Sequence, residues 1–298
     1  MNRSMDTLED LRKAIGTTED LRSIVRTMKI LAAVSIRQYE RAVESLAEYC
    51  HTVDLGIQAV LHNDRFHPPV TGAAGGQRSL GAVVFGSDHG LCGRFNESVT
   101  RFAVECMEGL GVSAGGRHVL AVGARADAGL EALGQPVIEC FFVPGSASGI
   151  TQTVGQLLFK IDEWRADGLT DVLLFFNEHR SGVVHQPRMR RLLPVNFSAF
   201  ADFGERPWPS RSRPIHTVSG DQVMSSLIRQ HLFITVFRAC AESLASEHAS
   251  RLVSMQVAEK NIREHLDELG SRFRQQRQNA ITEELLDVVS GFEALRNT

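Results

Sequence analysis

The residues most suggestive of chemistry form a short loop in the first half of the sequence. The loop reads GSDHGLCGRFN from Gly86 to Asn96, and it follows an apolar run that predicts a strand. A Gly-rich turn from a strand into a helix is where α/β folds hold phosphate groups. The spacing matches neither G-x-G-x-x-G nor G-x-x-x-x-G-K-[ST], and no acidic residue is well placed for a ribose. We therefore interpret these glycines as the requirement of a tight turn and not as a nucleotide site.

The same loop contains the residue types of nucleophilic catalysis. Ser87, Asp88 and His89 have the composition of a hydrolase triad, but adjacent residues cannot point at one another in triad geometry. The G-x-S-x-G pattern is also absent. Cys92 near His89 suggests a thiol nucleophile pair, although a small, partly buried thiol is the commoner role of such a residue. We expect no catalytic residue in this chain.

Cysteine and histidine spacing gives no metal site. The five cysteines are scattered and contain no CxxC pair, which is typical of reduced thiols in the cytosol. His62 and His67 do not have the i, i+4 spacing of a helical metal pair. We therefore expect no metal and no cofactor.

The bulk composition excludes several classes of protein. The 298 residues carry a formal net charge of −3, so no overall field attracts nucleic acid. No segment approaches the roughly 18 consecutive apolar residues of a membrane span. We expect a chain that contacts a membrane only through partners.

Proline and glycine divide the chain into three parts. All nine prolines lie between Pro68 and Pro214, and the regions outside hold only five of the 25 glycines. Inside a helix proline costs about 3 kcal/mol and glycine about 1 kcal/mol. The two ends therefore predict two long helices, and the turn-rich middle predicts a separate domain.

Each end carries one apolar stripe with the spacing of a coiled-coil seam. The N-terminal stripe comprises Leu8, Leu11, Ile15, Leu21, Val25, Met28, Ala32, Tyr39, Val43, Leu46, Val53, Ile57 and Val60. The C-terminal stripe comprises Leu227, Phe233, Phe237, Leu244, Leu252, Met255, Ala258, Ile262, Leu266, Leu269, Phe273, Ile281, Leu285, Val288, Phe292 and Leu295. A single stripe needs a partner, so the simplest arrangement pairs the two ends as an antiparallel coiled coil.

Because each helical residue adds about 1.5 Å, the second predicted helix is longer than the first. If both leave the middle domain together, about 20 C-terminal residues have no partner helix. This segment contains several apolar side chains, and a single helix of that kind would be costly in water. We expect another protein to enclose it. The alternative, in which the helices fold back into a compact bundle, is less favoured because no proline or Gly-rich break follows Gly220.

The middle alternates strand-length apolar runs with helical segments, which favours a mainly parallel sheet covered by helices. The strand candidates are Leu80–Phe85, His118–Val122, Val137–Val143 and Val172–Phe176, with one or two more in Gly182–Val195. The helix candidates are Asn96–Leu110, Arg125–Leu133 and Thr151–Arg165. The predicted fold class is α/β plus long helices: an antiparallel coiled coil of the N- and C-terminal helices with an inserted Rossmann-like α/β domain. The predicted boundaries are 1–62, 79–205 and 218–298.

A basic segment near the C-terminus has two interpretations. Arg272, Arg274 and Arg277, together with Gln275, Gln276 and Gln278, form a polar, basic segment of about a turn and a half. One interpretation is a solvated helix face, and the other is a contact for an acidic loop on an enclosing partner. The residues alone do not separate the two.

Several motifs together resemble the gamma subunit of F-type ATP synthases, over nearly the whole chain. Ala245 to Leu252 with Met255 is similar to the family's ASEHAARMxAM, and Arg277 to Leu285 is similar to RQxxITxEL. The remaining matches are Val288–Gly291 with EIVxGA, Thr27–Ala33 with AMKMVAA, and Ser87–Asn96 with SDRGLCGGxN. The C-terminal motifs are specific for the family, whereas the motif at Ser87–Asn96 is less so.

The chain departs from the family pattern at two places. His89 and Arg94 stand where the family usually has Arg and Gly, and Val34–Tyr39 replaces a run rich in Lys and Arg. This divergence resembles the alternate, often sodium-linked, bacterial branch of the family.

The resemblance implies a mechanical function. In the family the terminal helices form a coiled coil inside a ring of alternating alpha and beta subunits, and the inserted domain lies against the epsilon subunit and the membrane ring of c subunits. Ion flow, of protons or sodium, turns the c ring and the coiled coil with it, which drives ATP synthesis in the surrounding ring. The resemblance implies a non-catalytic, torque-transmitting rotor subunit, peripheral to the cytoplasmic face of the bacterial inner membrane.

The resemblance also implies two sets of partner-binding residues. Those that match contacts with a beta-subunit loop are Met28, Lys29, Arg277, Gln278, Thr282 and Glu284. Those that match the apolar bearing around the C-terminal helix are Ile281, Leu285, Val288, Val289 and Phe292.

Two other hypotheses remain open at this point. The first is a non-rotary coiled-coil scaffold with a Rossmann-like module, which predicts no association with a nucleotide-hydrolysing ring. The second is an α/β enzyme or nucleotide-binding domain with helical dimerisation arms, which requires an acid, a base or a phosphate loop in the middle domain.

Overall fold

The computed structural model describes residues 7–63, 79–180, 183–196, 200, 208, 210–212, 214 and 217–296. The helices are α1 (Leu8–Asn63), α2 (Phe95–Gly109), α3 (Ala124–Ala132), α4 (Ala147–Ala166) and α5 (Gly220–Arg296). The strands are β1 (Leu80–Phe85), β2 (Arg117–Val122), β3 (Glu139–Phe141), β4 (Asp171–Arg180) and β5 (Val183–Leu193). The chain divides into two compact units: residues 32–251 form one, and the residues before and after them form the other.

Helix α1 begins with a reciprocal cap. The Asp10 backbone N–H donates to Thr7 Oγ1 at 3.2 Å, and the Thr7 N–H donates to the Asp10 carboxylate at 3.2 Å. These bonds satisfy N–H groups that the first turn leaves unpaired. Hydrogen bonds from Thr7 lower the pKa of Asp10. Helix α5 begins in a similar way, with the Gln222 N–H donating to Ser219 Oγ at 3.4 Å.

The two long helices pair antiparallel within residues 32–251. The Tyr39 ring stacks on His248 with 5.6 Å between ring centroids, and the Tyr49 hydroxyl donates to Gln230 Oε1 at 2.6 Å. Further along α1, a side chain added at Gly56 would meet Leu227. In these three contacts the residue number increases along α1 and decreases along α5, so the helices are antiparallel, as expected from the sequence.

In the other unit the same two helices meet through an ion pair between Lys29 and Glu259. Leu11, Met255 and Leu269 are buried there. The stripe residue Leu21, however, is 49% exposed, so its predicted seam position is wrong. Thr18 is buried and Val25 half-buried, and Leu21 lies about 60° around the helix from Thr18 at 3.6 residues per turn.

The middle of the chain forms one five-stranded sheet with the order β3-β2-β1-β4-β5. The pairs of β1 with β2, β1 with β4 and β2 with β3 are parallel, and β5 is antiparallel to β4. The predicted strand Val137–Val143 is shorter in the structure, where β3 covers only Glu139–Phe141. The region predicted for one or two further strands contains the single strand β5.

Both faces of the sheet are covered, as the apolar strand composition predicts. Val83 and Phe85 of β1 face α4 and the nearby parts of α1 and α5. Leu80, Ala82 and Val84 alternate with them and face α2. The α/β domain is therefore built directly onto the two long helices on one side.

Candidate partner-binding surfaces

The loop after β1 uses its polar groups internally. The Ser87 N–H donates to Asn96 Oδ1 at 2.9 Å, and Asn96 Nδ2 donates to Ser87 Oγ at 2.8 Å. The Asp88 carboxylate accepts from the N–H groups of Ala124 at 3.1 Å and Val143 at 2.9 Å. These contacts join the polar side chains of the loop to its own domain.

Close packing explains two glycines, one in this loop and one after β2. A Cβ at Gly86 would approach Ala126 Cβ to 2.5 Å, and one at Gly123 would approach the Ser87 backbone to 2.7 Å. Gly123 also has φ 105°, a conformation that other residues rarely adopt. Packing therefore requires glycine at positions 86 and 123, and Gly93 has φ 60°, whereas a Cβ at Gly90 would meet only Arg125 at 3.9 Å.

The residues with triad composition do not act together. Ser87 Oγ donates to the His89 carbonyl at 2.8 Å and not to an imidazole, while Asp88 binds backbone N–H groups. Burial raises the pKa of the Cys92 thiol, although its hydrogen bond with Ser87 opposes this change. Burial also raises the pKa of Cys240 to about 12. These thiols remain protonated, which makes them poor nucleophiles.

The described residues offer no other ordinary site of chemistry. No group of three or more His, Cys, Asp or Glu among them is arranged to hold a metal ion. No described helix combines the length and the apolar character that a bilayer span requires. Exposed apolar side chains do occur on α1 and on the C-terminal part of α5.

The predicted contact residues of α1 are half-buried. Met28 and Lys29 both have intermediate exposure. The Lys29 ammonium pairs with Glu259 on α5, and this hydrogen bond lowers the pKa of the Glu259 carboxyl. Lys29 is thus already engaged within this chain, a contact that the sequence pattern did not reveal because it spans the two helices.

Helix α1 also exposes apolar side chains that the stripe pattern missed. Ile24, Ile30 and Leu31 are 55%, 55% and 61% exposed. On α5, Val257 of the same unit is 55% exposed. These residues lie off the seam, and the only signal in the sequence is apolar character at positions where a solvated helix face would be polar.

The predicted bearing residues are all exposed, together with a further one. Every position from 281 to 292 on α5 is exposed. The large apolar residues in this segment are Ile281 at 48%, Leu285 at 61%, Leu286 at 62%, Val288 at 70%, Val289 at 55% and Phe292 at 71% exposed. Leu295 lies among the residues whose side chains are outside the described part. A helix that exposes large apolar side chains over several successive turns is typical of a surface that binds another protein.

The predicted polar contacts border this apolar segment. Arg277, Gln278, Thr282 and Glu284 are all exposed on α5. Thr282 Oγ1 donates back to the Gln278 carbonyl at 2.9 Å, which is an ordinary contact within a helix. The structure brings these residues onto the same part of the same helix as the apolar side chains.

Comparison with known proteins gives one consistent family. A family model described as ATP synthase matches residues 7–295. The ATP synthase gamma chain of Anaeromyxobacter dehalogenans is 28% identical over 304 residues, covering 98% of this chain and 100% of that protein. The ATP synthase gamma chain of Desulforamulus reducens is 28% identical over 305 residues with the same coverage.

Solved structures have the same fold. A chain of the mitochondrial ATP synthase of Euglena gracilis matches with a TM-score of 0.65 at 15% identity, covering 97% of this chain and 94% of that chain. A chain from the central stalk and c ring of the Tetrahymena thermophila mitochondrial ATP synthase matches with a TM-score of 0.56 at 20% identity, covering 79% and 99%. These solved structures share the fold of this chain, two long helices with a small α/β domain. Because the family model matches residues 7–295, this chain belongs to the ATP synthase family, among its gamma chains.

Proposed function

We propose that this chain is the central-stalk rotor subunit, gamma, of an F-type ATP synthase. In this role it transmits torque between an ion-driven ring in the membrane and the catalytic alpha and beta subunits. The single observation that carries the proposal is the exposure of every residue from 281 to 292, which include six large apolar side chains. A ring of alpha and beta subunits supplies the apolar sleeve that this helix needs.

The two sets of predicted contact residues divide the work at this sleeve. Ile281, Leu285, Val288, Val289 and Phe292 turn within an apolar bearing. Met28, Lys29, Arg277, Gln278, Thr282 and Glu284 meet an acidic loop of a beta subunit. Because that contact must slip as the rotor turns, its strength is moderate.

The α/β domain faces the other partners in this proposal. Phe142 and Phe159 are 84% and 68% exposed, and Ile138 is 51% exposed. Such side chains on a sheet edge and its covering helix are typical of a protein contact. We assign this surface to the epsilon subunit, with the c ring nearby.

The chain itself makes and breaks no bond in this function. The polar side chains of its loop after β1 bind within the domain, which supports a non-catalytic role. The complex places it at the cytoplasmic face of the bacterial inner membrane, as a peripheral subunit. The departures at His89, Arg94 and Val34–Tyr39 support membership of the alternate, sodium-linked branch.

The scaffold hypothesis shares the coiled coil but predicts no association with alpha and beta subunits. Membership of the gamma chains favours the rotor. A tagged copy of the full chain, expressed in its own cell with the other subunits, tests the choice. Alpha and beta subunits should co-purify, and a bead attached to the chain should rotate when ATP is added. A chain that purifies without them, or a complex whose bead does not rotate, would overturn the proposal.

A further inference from the structure

A buried polar cluster joins the α/β domain to both long helices. We call it the junction cluster, and its members are Tyr39 on α1, Glu247, His248 and Arg251 on α5, and the backbone carbonyls of His89, Gly90 and Pro144. All lie within residues 32–251. Neither the nucleotide interpretation nor the contact with alpha and beta subunits gives this cluster a role.

The charged pair at its centre is unusual for its position. Arg251 Nη2 and Glu247 Oε1 are 2.7 Å apart, and the two side chains are only 10% and 6% exposed. Glu247 Oε2 has no hydrogen-bond partner among the described residues. Burial raises the pKa of Glu247, an effect that Arg251 opposes. Because apolar residues of the same size often stabilise a core as well as a buried ion pair does, stability is a weak reason for this pair.

The arginine reaches from α5 to the loop after β1. Its Nη2 donates long hydrogen bonds to the carbonyls of His89 at 3.4 Å and Gly90 at 3.5 Å. The neighbouring Asp88 fixes this loop to the rest of the domain through two backbone N–H groups. A displacement of the domain relative to α5 would therefore have to break the contacts of Arg251.

Helix α1 is tied to the domain at the same level. The Tyr39 ring lies nearly parallel to His248, with an angle of 10° between the rings, and its hydroxyl donates to the Pro144 carbonyl at 3.2 Å. His248 Nδ1 in turn accepts from Arg251 Nη1 at 3.4 Å. Both long helices and two segments of the domain thus converge on one connected set of polar contacts.

We propose that the junction cluster carries load between the α/β domain and the two long helices. This inference rests on the proposed rotor function, in which torque entering at the domain must leave through the helices. Apolar packing also joins them, but the hydrophobic effect is non-directional. Hydrogen bonds depend on angle and distance, so they oppose a shear displacement. Tyr39, Glu247, His248 and Arg251 are positioning residues in this scheme.

The test measures torque at the domain itself. In the complex with alpha and beta subunits, a bead is attached through Cys140, which is exposed on β3, after Cys50 and Cys106 are replaced by alanine. Beads of increasing size raise the viscous load during ATP-driven rotation. The double variant Glu247→Leu, Arg251→Met removes the polar contacts without leaving one buried charge unpaired. We expect it to hydrolyse ATP at the wild-type rate but to lose rotation under loads that the wild type carries.

The control pair has the same spacing on the same helix but lies on its surface. Lys260 and Glu264 are 75% and 66% exposed with 3.8 Å between their charged atoms, and the variant Lys260→Gln, Glu264→Gln should carry the wild-type load. A junction variant that also carries the wild-type load would overturn the inference while leaving the rotor function intact. Absence of rotation in the wild type would instead count against the rotor function.

A milder variant decides the matter if the double variant does not assemble. Tyr39→Phe keeps the ring stacked on His248 and removes only the hydroxyl that binds the Pro144 carbonyl. A purely structural role predicts less assembled complex but full load per complex. A lower load limit for each assembled Tyr39→Phe complex supports load transmission, and an unchanged limit contradicts it.

Discussion

Single side chains on the long helices serve two different purposes. Lys29 forms an ion pair with Glu259 of its own chain, whereas the neighbouring Met28 is half-buried and its side chain carries no charge. On α5, Leu269 is buried while Leu285 is exposed. Leu269 and the Lys29–Glu259 pair hold the helices together. Leu285 is available to partners, as is the 30% of the Lys29 side chain that stays exposed.

Met28→Lys should weaken coupling in the assembled enzyme. In the contact proposed above with an acidic beta-subunit loop, a second cation beside Lys29 would add an ion pair worth about 0.2–1 kcal/mol. The proposed contact has to slip as the rotor turns, so a stronger contact is unfavourable. The ion gradient built per ATP hydrolysed should fall, as measured in membrane vesicles. Met28→Leu adds no charge and should retain the wild-type ratio. An unchanged ratio in Met28→Lys would remove Met28 from the slipping contact.

His248 should make the fold sensitive to acid. Burial, with help from Arg251, lowers its pKa from 6.5 to about 4, so the folded state keeps it neutral while the unfolded state binds a proton. Its contribution to stability is present above the unfolded pKa and is lost as the pH falls from about 6.5 toward 4. At about pH 5 the loss is about 2 kcal/mol relative to neutral pH.

Urea unfolding of wild type and His248→Gln at both pH values measures this contribution. Glu247 acts in the opposite direction, because its raised pKa makes the folded state bind its proton more tightly as the pH falls. The comparison with His248→Gln cancels that effect, since both proteins retain Glu247. Equal acid sensitivity in the two proteins would refute the assignment.

Two long helices and a small sheet depend on close approach at a few points. Gly56 on α1 lies against Leu227 of α5, whereas Gly16 has no atom within 4 Å of an added Cβ. Both glycines are within a helix, where alanine is the better residue by about 1 kcal/mol. Replacing each glycine by alanine therefore measures helix propensity alone at Gly16, and helix propensity together with packing against Leu227 at Gly56.

Gly16→Ala should stabilise the isolated chain by about 0.5–1 kcal/mol. Gly56→Ala should gain less or lose stability, because the new methyl would lie 2.7 Å from Leu227 Cδ2, and overpacking costs about 1–3 kcal/mol. The midpoint of urea unfolding measures both. An equal gain in the two variants would mean that Leu227 moves aside at no cost.

At the scale of the whole molecule, no contact among the described residues explains the apolar end of α5. It follows the pattern of a buried helix and yet every residue from 281 to 292 is exposed. Its stabilisation depends on the assembly, so the isolated chain and the complex should respond differently to the same substitution.

Leu285→Asp should leave the isolated chain within about 0.5 kcal/mol of wild type, because the side chain is 61% exposed. In the complex it should weaken association with alpha and beta subunits at least about tenfold, or 1.4 kcal/mol. Leu269→Asp, at a position only 6% exposed, should instead destabilise the isolated chain by about 3 kcal/mol. Thermal unfolding and titration of the subunits measure the two effects, and similar behaviour of both variants would contradict the enclosed-helix model.

The sequence by itself determined the long helices, the inserted sheet and the exposed apolar segment. Proline and glycine are nearly absent from the ends, and the spacing of apolar residues is a local property that any helix has to obey. The same holds for the runs that became β1, β2 and β4. The motifs around Arg251 and Arg277 were equally visible, because they are contiguous in the chain.

Only the tertiary structure decided which side chains meet. The Lys29–Glu259 pair, the stack of Tyr39 on His248 and the reach of Arg251 to the loop after β1 join residues far apart in sequence. Periodicity assigned Leu21 to the seam, but the rotation of α1 against α5 turned it outward. Helical periodicity specifies a face only to within a fraction of a turn, whereas packing against a second helix fixes the angle.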